Sequence, residues 1–296
     1  MIDVDILNFL FNGTLNGAVF SLIALGYSLV YGVGGIMNLA HGAYFMLAGY
    51  LLLWGLKIFP EALALSVVFA LIIVTILGGL TYILLIKPLQ DSHVGVVLIT
   101  FALAFTIEQY VQIVSGTTTY ALNQYIIFKD STPFLDTGFR MLNQYIFYII
   151  ISLVIVSLFA LFISKSKLGK SIRAVSQDRE AATLMGINAN RILFWTVVIS
   201  AFLAAIAAVL YLPGASLNGP SMGWEYLTTS FAVIILGGMG SLSGSIVGAY
   251  IMGFITSYTN VFVPEGPSWA HIVPIIVILI VLIIRPQGLF GKKELK

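Results

Sequence analysis

The sequence contains no cysteine and very few charged residues. Without cysteine, disulfide bonds, thiolate catalysis and cysteine-based metal sites are excluded. Only 9% of the residues are charged, whereas 59% are hydrophobic. A soluble domain carries roughly a quarter charged residues, because its surface is wetted by water. The shortage of charge therefore indicates a surface that faces lipid, and a net charge of +2 gives no reason to expect nucleic acid as a partner.

Long apolar segments are what the sequence has instead. A helix needs about 20 apolar residues to cross a hydrocarbon core of ~30 Å, and these segments have lengths of that order. They lack the alternating pattern of barrel strands. We therefore predict an all-α, polytopic transmembrane fold in which 1–296 form a single domain. Its eight apolar segments are 6–33, 36–56, 61–86, 94–114, 145–163, 190–212, 225–257 and 269–284.

Basic residues orient the predicted spans. The segment 164–191 holds six Lys or Arg residues against two acidic ones, Lys87 lies in a link between two spans, and four basic residues follow position 284. Basic residues beside spans remain in the cytoplasm. This places 164–190, Lys87 and the C-terminal tail inside and 115–144 outside. The pattern indicates a multi-pass protein of the prokaryotic cytoplasmic (inner) membrane.

The orientation creates a conflict at 225–257. Segment 190–212 leaves the cytoplasm and segment 269–284 returns to it, so 225–257 must begin and end on the outer side. A straight helix cannot do this, but glycine and serine residues in its middle weaken a helix there. We predict a broken or re-entrant pair of helices. The alternative, which also applies, is that these small residues allow close helix packing. The break residues are Gly237, Gly238, Gly240 and Ser241.

A second glycine-rich interruption separates the first two apolar segments. It holds Gly32, Gly34 and Gly35, followed by Asn38 and His41. Glycine-interrupted hydrophobic segments in both halves of a membrane protein point to a translocation pathway. We therefore predict a helix break here and assign Asn38 and His41 to the pathway with the four break residues. The alternative is that they satisfy backbone groups at a helix interface, which we favour for His41 taken alone.

The cytoplasmic segment carries the signals of one short helix. Asp178 is a good N-cap, Glu180 complements the positive N-terminal dipole, and Gly186 is a good residue to follow the C-cap. Together they predict a helix of about two turns. A helix this short is not stable by itself. It is therefore expected to press against a partner.

The same segment contains Gly169-Lys170-Ser171, which suggests a phosphate-binding loop. That motif needs a glycine five positions earlier, where this chain has Ser164, and a preceding β-strand. Both are missing from the sequence. If ATP drives this protein, another chain binds it.

Catalytic and metal-binding arrangements are not evident. The three histidines His41, His93 and His271 share no metal-site spacing. Glu108 and Glu225 fall near the outer ends of their segments, where a solvated carboxylate costs little, although a proton-relay role is the alternative. We predict no catalytic residue and no metal site, and hence a protein that is not an enzyme.

Four ordered motifs resemble those of LivH-type permeases of branched-chain amino acid ABC importers. GYSLVYGVGGIMNLAHG at 26–42 resembles their N-terminal signature. The stretch 173–186 is similar to their cytoplasmic EAA loop, with Glu180-Ala181-Ala182 and Gly186 matching its Glu-Ala-Ala-x-x-x-Gly core. The stretches 236–244 and 285–291 match as well.

The resemblance implies a permease subunit for branched-chain or other hydrophobic amino acids. Its implied partners are a second, LivM-like permease or a second copy of itself, two cytoplasmic ATPase subunits and an extracytoplasmic solute-binding protein, within membrane lipid. ATP and Mg²⁺ would be bound by the ATPases, with no cofactor in this chain. The short helix would be the coupling helix that sits in a groove of the ATPase. The implied coupling residues are Asp178, Arg179, Glu180, Ala181, Ala182 and Gly186.

Two departures leave other substrates open. Members of the LivH branch often carry lysine where Thr229 aligns, and the hydrophobic-then-proline pattern that follows many EAA cores is not kept here. The alternatives are a permease for urea, short amides or another small solute, or a secondary transporter that works without ATP. The latter predicts a pair of inward-facing ionisable groups near the membrane midplane.

Overall fold

The computed structural model describes residues 4–59, 62–122, 126–133 and 140–291, and the basic tail residues after 291 lie outside that range. The described chain is almost entirely helical, which confirms the predicted all-α polytopic fold. Short strands occur only in its connecting segments. The helices are α1 Val4–Gly34, α2 His41–Ile58, α3 Leu63–Leu89, α4 His93–Ser115, α5 Asn143–Lys165, α6 Lys167–Gln177, α7 Arg179–Leu184, α8 Ala189–Tyr211, α9 Met222–Gly237, α10 Leu242–Phe262, α11 Gly266–Trp269 and α12 Val273–Ile284.

Five of these helices are long and apolar enough to cross a membrane, namely α1, α3, α4, α5 and α8. The pair α9 and α10 passes the same test together but is bent by 118° at its junction. The predicted break at 237–241 is therefore confirmed. Helix α12 is a shorter apolar helix of 12 residues, and α3 contains a π-helical stretch at Tyr82–Ile86. Each of the eight predicted segments contains one helix or the broken pair.

The spans divide into central and peripheral helices. In the most apolar stretch of α1, 83% of the residues are buried inside the protein. In the corresponding stretches of α3 and α5, only 22% of the residues are buried. Helix α2 is likewise buried along nearly its whole length. In lipid no hydrophobic force holds helices together, so the contacts that bury α1 and α2 depend on close packing. Helices α3, α4 and α5 therefore present apolar side chains outward, and α1 and α2 form the interior.

Glycine allows very close contacts between helices, among them the contact of α1 with α10. A Cβ added to Gly253 would lie within van der Waals overlap of the backbone of Gly13 and Gly17. A Cβ on Gly248 would meet the Val233 carbonyl in the same way. Small residues let helix backbones approach closely in membranes. The packing role predicted as the alternative therefore operates alongside the break.

The predicted break between the first two segments is also present. Helix α1 ends at Gly34, and Gly35 has a φ of +63°, a left-handed conformation that glycine adopts without strain. Its N–H donates to the Tyr31 carbonyl at 2.8 Å. The chain then runs without helix until α2 begins at His41.

Contacts between distant segments agree with the orientation read from charge. The outer side includes an antiparallel pair, in which β1 (Tyr120–Ala121) bonds to β4 (Ser216–Leu217). The end of α10 is predicted to lie outside, and the first turns of α1 meet it there, where the Ser257 hydroxyl donates to the Phe9 carbonyl at 2.8 Å. A second pair, β2 (Ser131–Pro133) with β3 (Arg140–Leu142), lies in the segment predicted to be outside.

Candidate functional site

The cytoplasmic segment 164–190 folds as two helices, α6 and α7, where the sequence analysis predicted only the second. Helix α6 is capped by Ser166, whose hydroxyl accepts from the Gly169 N–H at 2.8 Å. Its apolar residues Leu168, Ile172 and Val175 follow helical spacing, and the last two are buried. That spacing was the signal that could have revealed α6.

Two features hold α6 against the end of α5. A Cβ at Gly169 would collide with the backbone of Ile163, so only glycine permits this approach. The Arg173 guanidinium donates to the Ile163 carbonyl at 2.6 Å and to the Ser164 carbonyl at 3.1 Å. These carbonyls are among those that a helix end leaves without partners. Helix α6 is therefore held in place against the end of α5, directly before α7.

The predicted short helix α7 is present, with the predicted caps. The Asp178 carboxylate accepts from the Ala181 N–H at 2.9 Å. At the other end Gly186 has a φ of +84°, and its N–H donates to the Thr183 carbonyl at 2.9 Å. The Ile187 N–H donates to the Ala182 carbonyl at 3.0 Å, which completes a Schellman motif. The six residues of α7 are thus fixed at both ends.

The C-terminal tip of α7, formed by Leu184 and Met185, exposes apolar side chains. Leu184 is 89% exposed and Met185 is 83% exposed, on the side of the membrane where water is expected. Arg179 anchors the helix to α8, because its guanidinium donates to the Asn190 side chain at 3.0 Å. Of the predicted coupling residues, Glu180 and Ala181 are exposed and Ala182 is buried. Leu184 and Met185 were not among the predicted coupling residues, although an apolar pair in a polar loop was a usable signal.

The four predicted break residues lie together at the junction of α9 and α10. Gly238 and Gly240 have φ values of +101° and +80°, which L side chains rarely adopt. Ser241 caps α10 by accepting from the Gly244 N–H at 3.1 Å. A Cβ on Gly240 would lie 3.1 Å from the Cα of Gly32, so the turn touches the C-terminal part of α1.

The C-terminal stretch 285–291 covers this turn, a contact that the sequence did not reveal. The Leu289 N–H donates to the Leu236 carbonyl at 2.8 Å, and the Phe290 N–H donates to the Gly237 carbonyl at 3.0 Å. These bonds satisfy carbonyls that the end of α9 would otherwise leave unpaired. The third and fourth sequence motifs therefore form one structural unit.

A cavity of about 600 Å³ opens beside this turn at the cytoplasmic end. Gly240 and Ser241 line it, whereas Gly237 and Gly238 lie behind them in the packing of the turn. It adjoins a second cavity of about 410 Å³ between α1, α5, α6 and α10, because Gly32, Ser176 and Gly240 line both. Two of the four break residues are therefore exposed to an inner cavity.

Asn38 and His41 lie elsewhere, and neither lines these two cavities. His41 is fully buried, with its Nε2 2.9 Å from the Ile23 carbonyl and its Nδ1 3.0 Å from the Ser200 hydroxyl. The Asn38 amide oxygen accepts from the Ala40 N–H at 3.1 Å. This is the geometry of a helix interface, the alternative favoured for His41. A role in the pathway stays a prediction for both.

The two acidic residues near the outer ends have different surroundings. Glu108 is half-buried and accepts from the Trp224 indole N–H, so it is not simply solvated. Glu225 is exposed, as predicted, and its carboxylate lies 3.6 Å from His271. Glu225 lies in the first turn of α9, whereas Glu108 lies in the outer half of α4, seven residues before the helix ends.

Comparison with known proteins adds to this geometry. Residues 9–282 match the family described as "Branched-chain amino acid transport system / permease component". The chain is 28% identical to the high-affinity branched-chain amino acid transport system permease protein LivH of Salmonella typhimurium, over 97% of this chain and 96% of that protein. It is 28% identical, with the same coverage, to the corresponding permease protein BraD of Pseudomonas aeruginosa. The ribose import permease protein RbsC of Haemophilus influenzae is 25% identical over 98% of this chain and 87% of its own length. No solved structure matches.

Proposed function

Because the chain belongs to the family of permease components of branched-chain amino acid transport systems, we propose that it translocates branched-chain or other hydrophobic amino acids in an ATP-driven importer. The family match confirms the resemblance noted in the sequence and places the chain in the prokaryotic cytoplasmic (inner) membrane as a multi-pass permease. Its relatives named above are transport permeases. The substrate and the ATP-driven partners are the proposed part.

The observation that carries the coupling proposal is the apolar tip of α7. Complete burial of a Leu or Met side chain contributes about 1.5–3 kcal/mol. Leu184 and Met185 are exposed in the isolated chain, so they would gain this stabilisation only by binding a partner. They lie on a helix whose caps fix its orientation. We infer that α7 docks in a groove of a cytoplasmic ATPase subunit. In this arrangement Arg179 and Glu180 flank the docked tip, and Asp178, Ala181, Ala182 and Gly186 maintain the helix.

The remaining subunits of the proposed importer follow from the same family relationship. Two ATPases bind ATP and Mg²⁺, a second permease or a second copy of this chain completes the pore, and an extracytoplasmic binding protein delivers the solute. This chain itself would perform no bond chemistry. Within it we propose that the turn at 237–241 borders the inner part of the pathway, supported by the inner cavity at Gly240 and Ser241. Asn38 and His41 would support that pathway from the interface between α1 and α2.

A second candidate is import of a different small polar solute. It is favoured by the match to a protein named as a ribose import permease, which covers 98% of this chain. Urea and short amides belong to the same alternative. Uptake of leucine, ribose and urea by the same reconstituted complex separates these substrates. Uptake by this chain alone, driven by a solute gradient, would instead indicate a secondary transporter.

Co-purification of the ATPase tests the coupling proposal. The variant Glu180→Lys with Gly186→Pro reverses one charge and places proline where φ is +84°. It should insert in the membrane normally and lose the ATPase. The matched control is Glu180→Gln with Gly186→Asn, because asparagine tolerates the left-handed conformation. Retention of the ATPase by the first variant would show that α7 is not the docking element.

A further inference from the structure

A separate cavity of about 310 Å³ lies at the opposite, outer end of the molecule. It is bounded by α1, α8, α9, α10, α12 and the link before α12, and it is not part of the break or of the inner cavities. Small-molecule sites in proteins begin at about 300 Å³, so this volume suits a small solute. Its polar lining includes Asn16, Glu225, Thr228, Thr229, Thr256 and His271, with Tyr211, Trp224 and Tyr226 beside them.

The polar lining is rich in hydrogen-bond acceptors. The Thr228 hydroxyl donates to the Trp224 carbonyl at 2.8 Å, and the Thr229 hydroxyl donates to the Glu225 carbonyl at 2.8 Å. Their protons are therefore committed to the helix, while their lone pairs remain able to accept. An ammonium group offers three donors and no acceptor. The polar lining is thus complementary to a protonated amine.

Glu225 gives this lining its negative charge. Its side chain is 49% exposed, and its Oε1 lies 3.6 Å from the His271 Nδ1, which is longer than a hydrogen bond. Among the residues that the structure describes, no lysine or arginine lines the cavity. The carboxylate is therefore accessible to a cation that enters from the outside.

The remainder of the lining is apolar. Val19 and Phe20 of α1 and Pro274 and Ile275 of α12 supply aliphatic and aromatic surface. A cavity that combines a carboxylate and hydrogen-bond acceptors with apolar side chains matches an amino acid with an apolar side chain. Neither set of groups alone would discriminate such a solute from a polar amine or from a hydrocarbon.

We propose that this outer cavity is where the solute first binds to the permease, with its ammonium group at Glu225 and the threonine hydroxyls and its side chain against α1 and α12. The inference rests on the proposed import of hydrophobic amino acids and assigns a site to it. Glu225 would hold the ammonium group by charge, and Thr228, Thr229 and Thr256 would orient it.

The absence of cysteine from the chain makes a direct test simple. Single variants Thr229→Cys and Thr256→Cys place one thiol in the cavity of the assembled importer. Each is treated from the outside with a membrane-impermeant cationic or anionic methanethiosulfonate. The control is Thr106→Cys on α4, whose hydroxyl makes the same bond to a backbone carbonyl four residues earlier but which lies exposed on the lipid side. It lies about 14 Å from the outer end of α4, against about 11 Å for Thr229 from the start of α9.

We expect both cavity thiols to react, the cationic reagent at least about tenfold faster than the anionic one. Adding Glu225→Gln should remove that preference. Leucine presented on the binding protein should slow the reaction severalfold, and Thr106→Cys should stay unreactive throughout. Cavity thiols that react no faster than Thr106→Cys would overturn the proposal, because lipid or another subunit then fills the space. Reaction without protection by leucine would also overturn it, since the space is then only a water-filled vestibule.

Each variant is first tested for ATPase co-purification and for ATP hydrolysis stimulated by leucine. If the complex formed by the parent protein, which has no cysteine, lacks either activity, the proposed function is contradicted. A complex that has both, but shows no protected thiol, contradicts only the outer site. The two failures are therefore distinguishable.

Discussion

The apolar tip of α7 permits a quantitative prediction. Replacing Leu184 and Met185 together by glutamine should remove ATPase binding while leaving the fold intact. The two side chains are 89% and 83% exposed, so the substitution removes almost no contact within the chain. Surface substitutions of this kind change the free energy of unfolding by about 0.5 kcal/mol or less. Glutamine is also a good helix former, so α7 should persist.

The size of the binding defect follows from the area that docking would bury. Two fully buried side chains contribute about 3–6 kcal/mol in total. Ordering the interface consumes part of this, so we expect a loss of about 3 kcal/mol, which is roughly a 100-fold weaker Kd. The matched control is Lys170→Gln on α6, an exposed side chain of the same loop that is not on α7. Its Kd for the ATPase should stay within about threefold of that of the parent protein, because a single exposed charge contributes little to binding.

The assay is titration of purified ATPase onto the solubilised permease, read out as binding and as ATP hydrolysis. Thermal unfolding of the double variant, measured alongside, confirms that the protein is intact. If the intact double variant binds the ATPase as tightly as the Lys170→Gln control does, the reasoning from exposed apolar area is wrong.

Three further predictions follow from single contacts. Asp178→Ala removes the cap of α7, which is worth about 1 kcal/mol, and should weaken ATPase binding about fivefold, whereas Asp178→Asn should restore most of it. Gly240→Val should abolish uptake without loss of ATPase binding, because Gly240 has a φ of +80° and lies against Gly32; uptake at the parent rate would show that this turn is not rigid. His41→Ala should lower the thermal midpoint of the purified protein, because it leaves the Ile23 carbonyl without its bond at 2.9 Å, and an unchanged midpoint would contradict the interface role.

The helical fold was predictable because the membrane restricts the possibilities. Spanning structures must satisfy their own backbone groups, so segment lengths and basic flanks already define the spans and their direction. The break at 237–241 was predictable for the same reason, since charge placement required a return to the outer side. The caps of α7 at Asp178 and Gly186 were local signals and were also found.

What the sequence could not provide was proximity between distant residues. His41 bonds to Ser200, 159 positions later, and nothing in either local pattern indicates that partner. The pairing of Gly240 with Gly32 is hidden for the same reason. The outer cavity likewise combines residues of five helices, and a single exposed glutamate at 225 gave no sign of the threonines around it. The exposed tip of α7, in contrast, could have been recognised from Leu184 and Met185 themselves.

The most direct test of the central claim is leucine uptake into proteoliposomes that contain this chain, its partner permease, the ATPases and the binding protein. The proposed function predicts accumulation against a gradient that requires ATP and the binding protein. It also predicts no uptake by this chain alone. Gradient-driven leucine uptake by the chain alone, or ATP-driven uptake that excludes leucine and accepts ribose or urea, would contradict it.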